Sequence, residues 1–299
     1  TQTSGDTVPE TGGGAPATVQ NPRDEAWTGT SLRLSGGDPD TGTWVRLPDD
    51  LLTEASSATI TTEVKIDEEM RQEYNFLWNI GAEGDTTNYF FSSVKDAPRT
   101  AITTGSNAGE RSAQADANLQ ADRWYSLTSV LDGEADTLSF YVDGDLVGST
   151  GTELEPSSIT EQTMNTIGRS PWPDALFAGE VSAFRVHDRA LDAEEVAAAS
   201  TEDAADHHDE ILARTQELLE GLDPLPERIE DDYLALPTAG GEITWSSSDP
   251  SVIAEDGRVT QPEQGADPVE VTLTATASMR GISSTREQVV TVDPSSATP

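Results

Sequence analysis

The sequence predicts an all-β chain made of two sandwich-like modules joined by a short helical linker. Three observations carry this. Short runs rich in Val, Ile, Thr, Tyr, Phe and Trp recur between Gly, Asp, Asn and Ser turn signals at roughly 8–12-residue spacing, the rhythm of a sandwich or jelly roll. Hydrophobic residues make up only 34% of the chain, which fits strands with polar alternate positions better than a helical bundle. At 299 residues the chain has room for roughly two cores of about 150 residues each.

Residues 1–30 form a lead-in of Thr, Gly, Pro, Asp and Ala in which Trp27 is the only aromatic residue. The string Val8-Pro9-Glu10-Thr11-Gly12 has the letters of a sortase signal, but at the wrong end and without the apolar anchor and basic tail such a signal needs. From Ser31 the strands begin: Trp44 to Leu47, Ala58 to Ile66, Asn75 to Ile80, Tyr89 to Val94, Arg99 to Thr104 and Trp124 to Leu131. Thr137 to Val142 and Leu146 to Ser149 flank Asp143-Gly144, a dipeptide suited to the positive φ angles of a tight hairpin. Glu180 to His187 alternates Val181, Ala183 and Val186 with polar neighbours and fits a closing strand. Asp192 followed by Glu195 is a capping box that opens a short helix, completing a first module over 31–198.

Residues 199–224 read as a helical spacer. Ile211, Leu212, Thr215, Leu218, Leu219 and Leu222 recur at helical spacing, Gly221 and Pro224 stop them, and the charged half from Glu202 to Glu210 is expected in solvent. Strands return over 225–293: Glu242 to Ser246, Val252-Ile253 and Arg258-Val259 around the Asp256-Gly257 turn, Val269 to Ala277, and Glu287 to Val292. Residues 294–299 read as a tail.

Composition excludes several function classes. The formal net charge is −38, so nucleic acid and anionic membrane faces, which are held by Lys and Arg, would be repelled. Lys65 and Lys95 are the only lysines in this acidic protein, a balance that fits a high-GC genome or a salty environment equally well. Without a single cysteine, disulfide scaffolds, thiolate zinc sites and Cys nucleophiles are excluded. No run approaches the roughly 18 apolar residues of a membrane span, so no membrane insertion is expected. Nor does residue 1 open a charged-then-apolar signal sequence, which leaves a cytosolic chain or one whose signal was removed. Only three histidines occur; His187 ends the closing strand and His207-His208 sit in the acidic half of the spacer, with no Gly-x-Ser-x-Gly elbow or His-Glu-x-x-His.

The strings Ser31-Leu32-Arg33-Leu34-Ser35-Gly36-Gly37, Asp122-Arg123-Trp124-Tyr125-Ser126-Leu127, Leu138-Ser139-Phe140-Tyr141-Val142-Asp143-Gly144 and Phe177-Ala178-Gly179-Glu180-Val181 through Phe184-Arg185-Val186-His187-Asp188-Arg189-Ala190-Leu191 make the first module resemble the laminin-G-like, concanavalin-A-like jelly rolls of bacterial secreted proteins. Leu236-Pro237, Ile243-Thr244-Trp245-Ser246-Ser247-Ser248-Asp249 and Val271-Thr272-Leu273-Thr274-Ala275-Thr276 make the second resemble the truncated bacterial immunoglobulin-like domain. The pairing is similar to what stands beside catalytic domains of glycoside hydrolases of the arabinofuranosidase and arabinanase type. It implies a secreted or cell-surface accessory piece, cut from a longer polypeptide with an adjacent catalytic domain, that binds polysaccharide or oligosaccharide and is not itself an enzyme. Where the family's closing strand usually carries two adjacent Asp residues, this chain has Ser182 and Ala183, so nothing is assigned to that position.

The alternatives are a cell-surface adhesion or structural spacer module without a sugar site and, third, intrinsic glycosidase activity. For the third, the nearest string is Glu134-Ala135-Asp136, which falls in a hairpin turn rather than on a strand face where two carboxyls flank a bond. Related modules often bind a structural Ca2+; here Asp38 and Asp40 in the Gly37–Gly42 loop, and Asp174, offer hard oxygen ligands. For a sugar, which presents one apolar face and a rim of hydroxyls, the candidates are Trp172 in its Pro-Trp-Pro loop, Arg169, Tyr89, Asn88, Arg99 and Trp78. Trp172 leads because flanking prolines stiffen its loop; Trp78 lies within a strand, where a core role competes.

Overall fold

The computed structural model describes residues 6–8, 11–12, 14–71 and 74–295. Pro9 and Glu10 of the sortase-like string and residues 296–299 of the expected tail lie outside the described residues. The chain divides into two compact units, Thr1–Asp206 and His207–Pro299.

In the first unit the strands run β1 (Thr7–Val8), β2 (Ala17–Gln20), β3 (Leu32–Gly37), β4 (Trp44–Arg46), β5 (Ala58–Ile66), β6 (Phe76–Gly81) and β7 (Tyr89–Ser93). They continue as β8 (Arg99–Thr103), β9 (Arg111–Gln114), β10 (Trp124–Asp132), β11 (Thr137–Val142), β12 (Asp145–Gly151), β13 (Thr166–Ile167) and β14 (Leu176–His187). Two antiparallel sheets result, one in the order β1-β2-β4-β13-β6-β7-β8-β9 and the other β12-β11-β10-β5-β14-β3. Non-consecutive neighbours such as β5 beside β14 are the crossovers of a jelly roll.

The core lies between these sheets because alternate residues turn inward. From β5 come Ile60, Val64 and Ile66, from β10 Leu127 and Leu131, and from the facing sheet Trp78, Ile80, Phe90 and Ile102, all in one buried cluster. The β11–β12 hairpin turns on Asp143-Gly144, both at positive φ (54° and 92°). Arg123 Nη2 donates to Asp143 Oδ2 at 2.7 Å and Ser126 N donates to Oδ1 at 3.0 Å, which ties the turn to β10. Helix α1 (Ala193–Ala204) opens on the expected capping box: Glu195 N donates to Asp192 Oδ1 at 2.9 Å and Asp192 N donates to Glu195 Oε2 at 3.0 Å. It lays Val196 on Val130 and Tyr141 of the outer face of the six-stranded sheet.

In the second unit helix α2 (His208–Glu220) precedes β15 (Arg228–Ile229), β16 (Ile243–Ser247), β17 (Val269–Met279) and β18 (Ile282–Val292), ordered β15-β18-β17-β16. Leu219 of α2 joins Trp245, Val271, Leu273 and Val290 in its core.

Several details differ from the sequence reading. Helix α1 starts where the capping box places it and runs on to Ala204, into the stretch read as the spacer, and the division between units falls after Asp206. Asp203, expected in solvent with the charged half, is buried and held by the Arg185 guanidinium at 2.6 Å. Strand β14 starts at Leu176 and carries a bulge between Val181 and Ala183, which breaks the simple alternation. Strand β18 starts at Ile282, since a polar Ser-Ser-Thr-Arg run pairs as well as an apolar one on a half-exposed hairpin.

Candidate functional site

The site lies on the outer face of the eight-stranded sheet, and strand register explains its residues. Trp78, Ile80, Phe90 and Ile102 turn into the core, so Asn79, Gly81, Tyr89, Phe91 and Ala101 beside them turn outward, while Leu77 joins the core across the bulge between Phe76 and Trp78. Asn79 pairs with Phe91 and Thr166, Gly81 with Tyr89, and Phe91 with Ala101. Phe76, Tyr89, Phe91 and Ala101 form a separate apolar patch on this face, and Trp172 packs against it. The Trp172 indole stacks on Phe76 with ring centres 5.1 Å apart and planes at 21°, and meets Tyr89 edge-on at 4.8 Å.

Beside Trp172 opens a cleft of about 490 Å³ between the β3–β4 loop, the end of β6 and the loop after β13. Its lining includes Asp38, Asp40, Asn79, Glu83, Arg169 and Trp172. Each wall is pinned by local hydrogen bonds. Asn21 Nδ2 donates to the Asp40 and Gly42 carbonyls at 3.2 and 3.0 Å, while Asp40 N donates to Asp38 Oδ1 at 2.8 Å. Across the cleft, Thr166 Oγ1 donates to the Arg169 carbonyl at 2.6 Å and Trp172 N donates to Ser170 Oγ at 3.2 Å. The Arg169 guanidinium lies 4.7 Å from the centre of the Trp44 ring, with Nη2 3.6 Å from Glu83 Oε1. At the cleft wall Asn79 is 2% exposed, and its Oδ1 has no hydrogen-bond partner among the described residues.

Four of the residues singled out in the sequence therefore meet here: Trp172, Arg169, Asp38 and Asp40. Tyr89 does not reach the cleft as a contact. It is 0% exposed beneath Trp172, and its hydroxyl donates to Glu110 Oε1 at 2.7 Å. Burial, then the hydrogen bond to Glu110, pushes its phenol pKa well above the ordinary value. Trp78 is corrected outright: at 1% exposure it turns to the opposite face and meets Phe90 edge-on at 4.9 Å in the core. Arg99 lies outside the cleft lining, over Phe91 and paired with Glu110 Oε2 at 2.7 Å. Asn88 is half-buried and also outside the lining.

The acids expected to hold a metal do not converge. Among the described residues no three His, Asp or Glu side chains gather around a point. Asp38 Oδ1 is engaged by Asp40 N, and the Asp38 carbonyl accepts from Thr41 N and Gly42 N at 3.1 and 2.8 Å. Asp174 stands apart from the cleft lining, where burial raises its carboxyl pKa and Lys95 opposes that rise. Asp38 and Asp40 thus share one wall of the cleft, and Asp174 is not among its lining. Glu134 and Asp136 sit exposed in the β10–β11 turn, away from the cleft.

Sequence reasoning missed Asn79 and Glu83. The signal for Asn79 was available: an amide in an otherwise apolar strand, Phe76-Leu77-Trp78-Asn79-Ile80, is a buried polar group in want of a reason.

Residues 39–197 match the concanavalin A-like lectin/glucanases superfamily, and residues 231–295 match the atrophied bacterial Ig domain. No curated protein matches the chain. Among solved structures, the sialidase CBM40 of Ruminococcus gnavus bound to α2,3 sialyllactose is 16% identical, with 57% of this chain and 96% of that one covered at a TM-score of 0.47. Domain 4 of AbnA, a GH43 extracellular arabinanase from Geobacillus stearothermophilus in complex with arabinotriose, is 19% identical over 62% and 88% at 0.45. The binding domain of botulinum neurotoxin DC, in complex with rat synaptotagmin II, is 9% identical over 93% and 73% at 0.50. At 9% identity the likeness to this last structure is one of fold alone. No helix of the described residues is long and apolar enough to cross a membrane.

Proposed function

Because the chain belongs, through residues 39–197, to the concanavalin A-like lectin/glucanases superfamily, we propose that its cleft binds a saccharide and that the chain is a non-catalytic, extracellular accessory region of a larger glycoside hydrolase. One observation carries the reading. A tryptophan stacked on a fixed aromatic patch borders a cleft whose other walls carry an arginine, carboxyls and an amide. A sugar ring offers an apolar C–H face to such an indole and hydroxyls to the polar groups. The stacking on Phe76 and the hydrogen bond from Trp172 N to Ser170 hold the indole in place before a ligand arrives, which lowers the ordering cost of binding.

The reading is tested by affinity electrophoresis of the whole chain through arabinan, arabinoxylan, arabinogalactan and β-glucan. Polymers containing arabinofuranosides come first, in keeping with the resemblance of the paired modules. Retardation by at least one polymer is expected, and Trp172→Ala should weaken it tenfold or more, which corresponds to ~1.4 kcal/mol. The melting temperature of the variant separates lost contact from lost packing on Phe76. The run is repeated with Ca2+ and with chelator: loss of retardation with chelator would place an ion beside the sugar, with Asp38 and Asp40 on the cleft wall as its nearest carboxyls. A folded chain that passes every polymer unretarded would remove the saccharide reading in favour of a spacer.

A further inference from the structure

We infer that the cleft selects neutral, hydroxyl-bearing saccharide over uronate- or sialate-bearing saccharide, with Asn79 as its buried hydrogen-bond acceptor; this rests on the saccharide reading of the same cleft. The charged lining comprises Asp38, Asp40 and Glu83 against the single guanidinium of Arg169. That guanidinium is already committed, lying over the Trp44 ring with Glu83 3.6 Å away. A carboxylate on a sugar would therefore meet three carboxyl side chains and no unopposed cation, an arrangement that disfavours like charge.

Asn79 supplies the positive side of the selection. Among the described residues, of the buried side chains whose oxygen lacks a partner, it is the one that lines the cleft. A buried acceptor without a donor is costly, and a hydrogen bond from a ligand relieves that cost. The χ2 torsion of an asparagine is soft, so the amide can turn its oxygen toward a hydroxyl entering the cleft. A sugar hydroxyl can donate there, on a neutral or an acidic saccharide alike, so the amide accounts for the hydroxyl-bearing ligand and the acidic rim for the exclusion of carboxylate. The amide thus adds affinity for a hydroxyl-bearing ligand, and the rim sets its charge.

The test pairs each neutral polymer that retards the whole chain with its carboxymethylated derivative, at low ionic strength. Retardation should fall at least tenfold on carboxymethylation, and the loss should shrink at high salt, where exposed charges are screened. The triple variant Asp38→Asn/Asp40→Asn/Glu83→Gln should recover most of the derivative's binding. It removes only these three acids from a chain of net charge −38, so recovery would assign the exclusion to the cleft rather than to the global field. Asn79→Ala should lose neutral binding at least tenfold, and its melting temperature, compared with the size of that loss, separates the lost hydrogen bond from the lost packing of a buried side chain. Equal binding of neutral and carboxylated polymers, or no recovery in the triple variant, overturns the selectivity while leaving the saccharide reading standing. Full binding by Asn79→Ala overturns the role of the amide, and silence from every polymer defeats the reading on which both rest.

Discussion

Glu195 sits at the third position of α1, on the surface, and its carboxyl is pulled down to about 2. The hydrogen bond from Arg189 is the largest cause, followed by the backbone N–H of Asp192. Both Arg189 guanidinium nitrogens reach it, at 2.8 and 2.7 Å. A carboxyl lowered by folding stabilises the native state above its ordinary value of 4.5, and that contribution fades as pH drops toward about 2. Wild type should therefore melt above Glu195→Gln at neutral pH, with the gap closing between about pH 4.5 and 2; a gap constant across that window would show that the ion pair is not its source. Residues of the cleft were legible in the sequence to different degrees for a similar local reason. Trp172 and Arg169 lie in a loop whose prolines and glycine mark it as exposed, so composition alone points to them. Tyr89 and Trp78 lie in strands, where function depends on which face the side chain takes. A bulge between Phe76 and Trp78 shifts that parity in β6, and no pattern of apolar residues announces it.

Elements bounded by strong turn chemistry were read closely. Strands β5 and β11 run over the residues expected, and the β11–β12 hairpin forms around Asp143-Gly144. Gly144 has φ of 92°, and a Cβ there would lie 3.0 Å from the Ala197 Cα of α1. Gly144→Ala combines backbone strain with a clash against helix backbone and should cost about 1–3 kcal/mol. Gly105, in the β8–β9 connection, has open space around its Cβ position, so Gly105→Ala should cost much less; denaturant melts of the two variants compare them directly. Equal costs would mean that the turn tolerates a side chain and that the helix gives way. Elements without such punctuation escaped the reading. Strand β13 is two residues long and exists because it bridges β4 and β6, and β9 is the edge beside β8. Both owe their strand character to neighbours distant in sequence, which local propensity does not record.

At the scale of the whole molecule the question is where one fold ends and the other begins. Hydrophobic spacing made residues 199–224 look like a linker, because a helix with one apolar stripe does not say what covers the stripe. The structure gives α2 to the second unit in three ways. Leu219 is buried in its core with Leu218 and Leu222 packed around it. Thr215 Oγ1 lies 2.7 Å from Ser284 Oγ. Arg286 Nη1 donates to the carbonyls of Leu219 and Leu222 at 2.8 and 3.1 Å, which ties the end of the helix to β18. Losing one buried leucine from a core costs about 2–5 kcal/mol, against a total of about 5–15 kcal/mol for a domain. A fragment of residues 207–299 should therefore unfold in one cooperative transition, whereas a fragment beginning at residue 225 should show a much lower midpoint or none. Amide exchange would locate the difference in β17 and β18, the strands that α2 covers. Equal midpoints for the two fragments would mean that the sheet closes its own core and that the helix is a passenger.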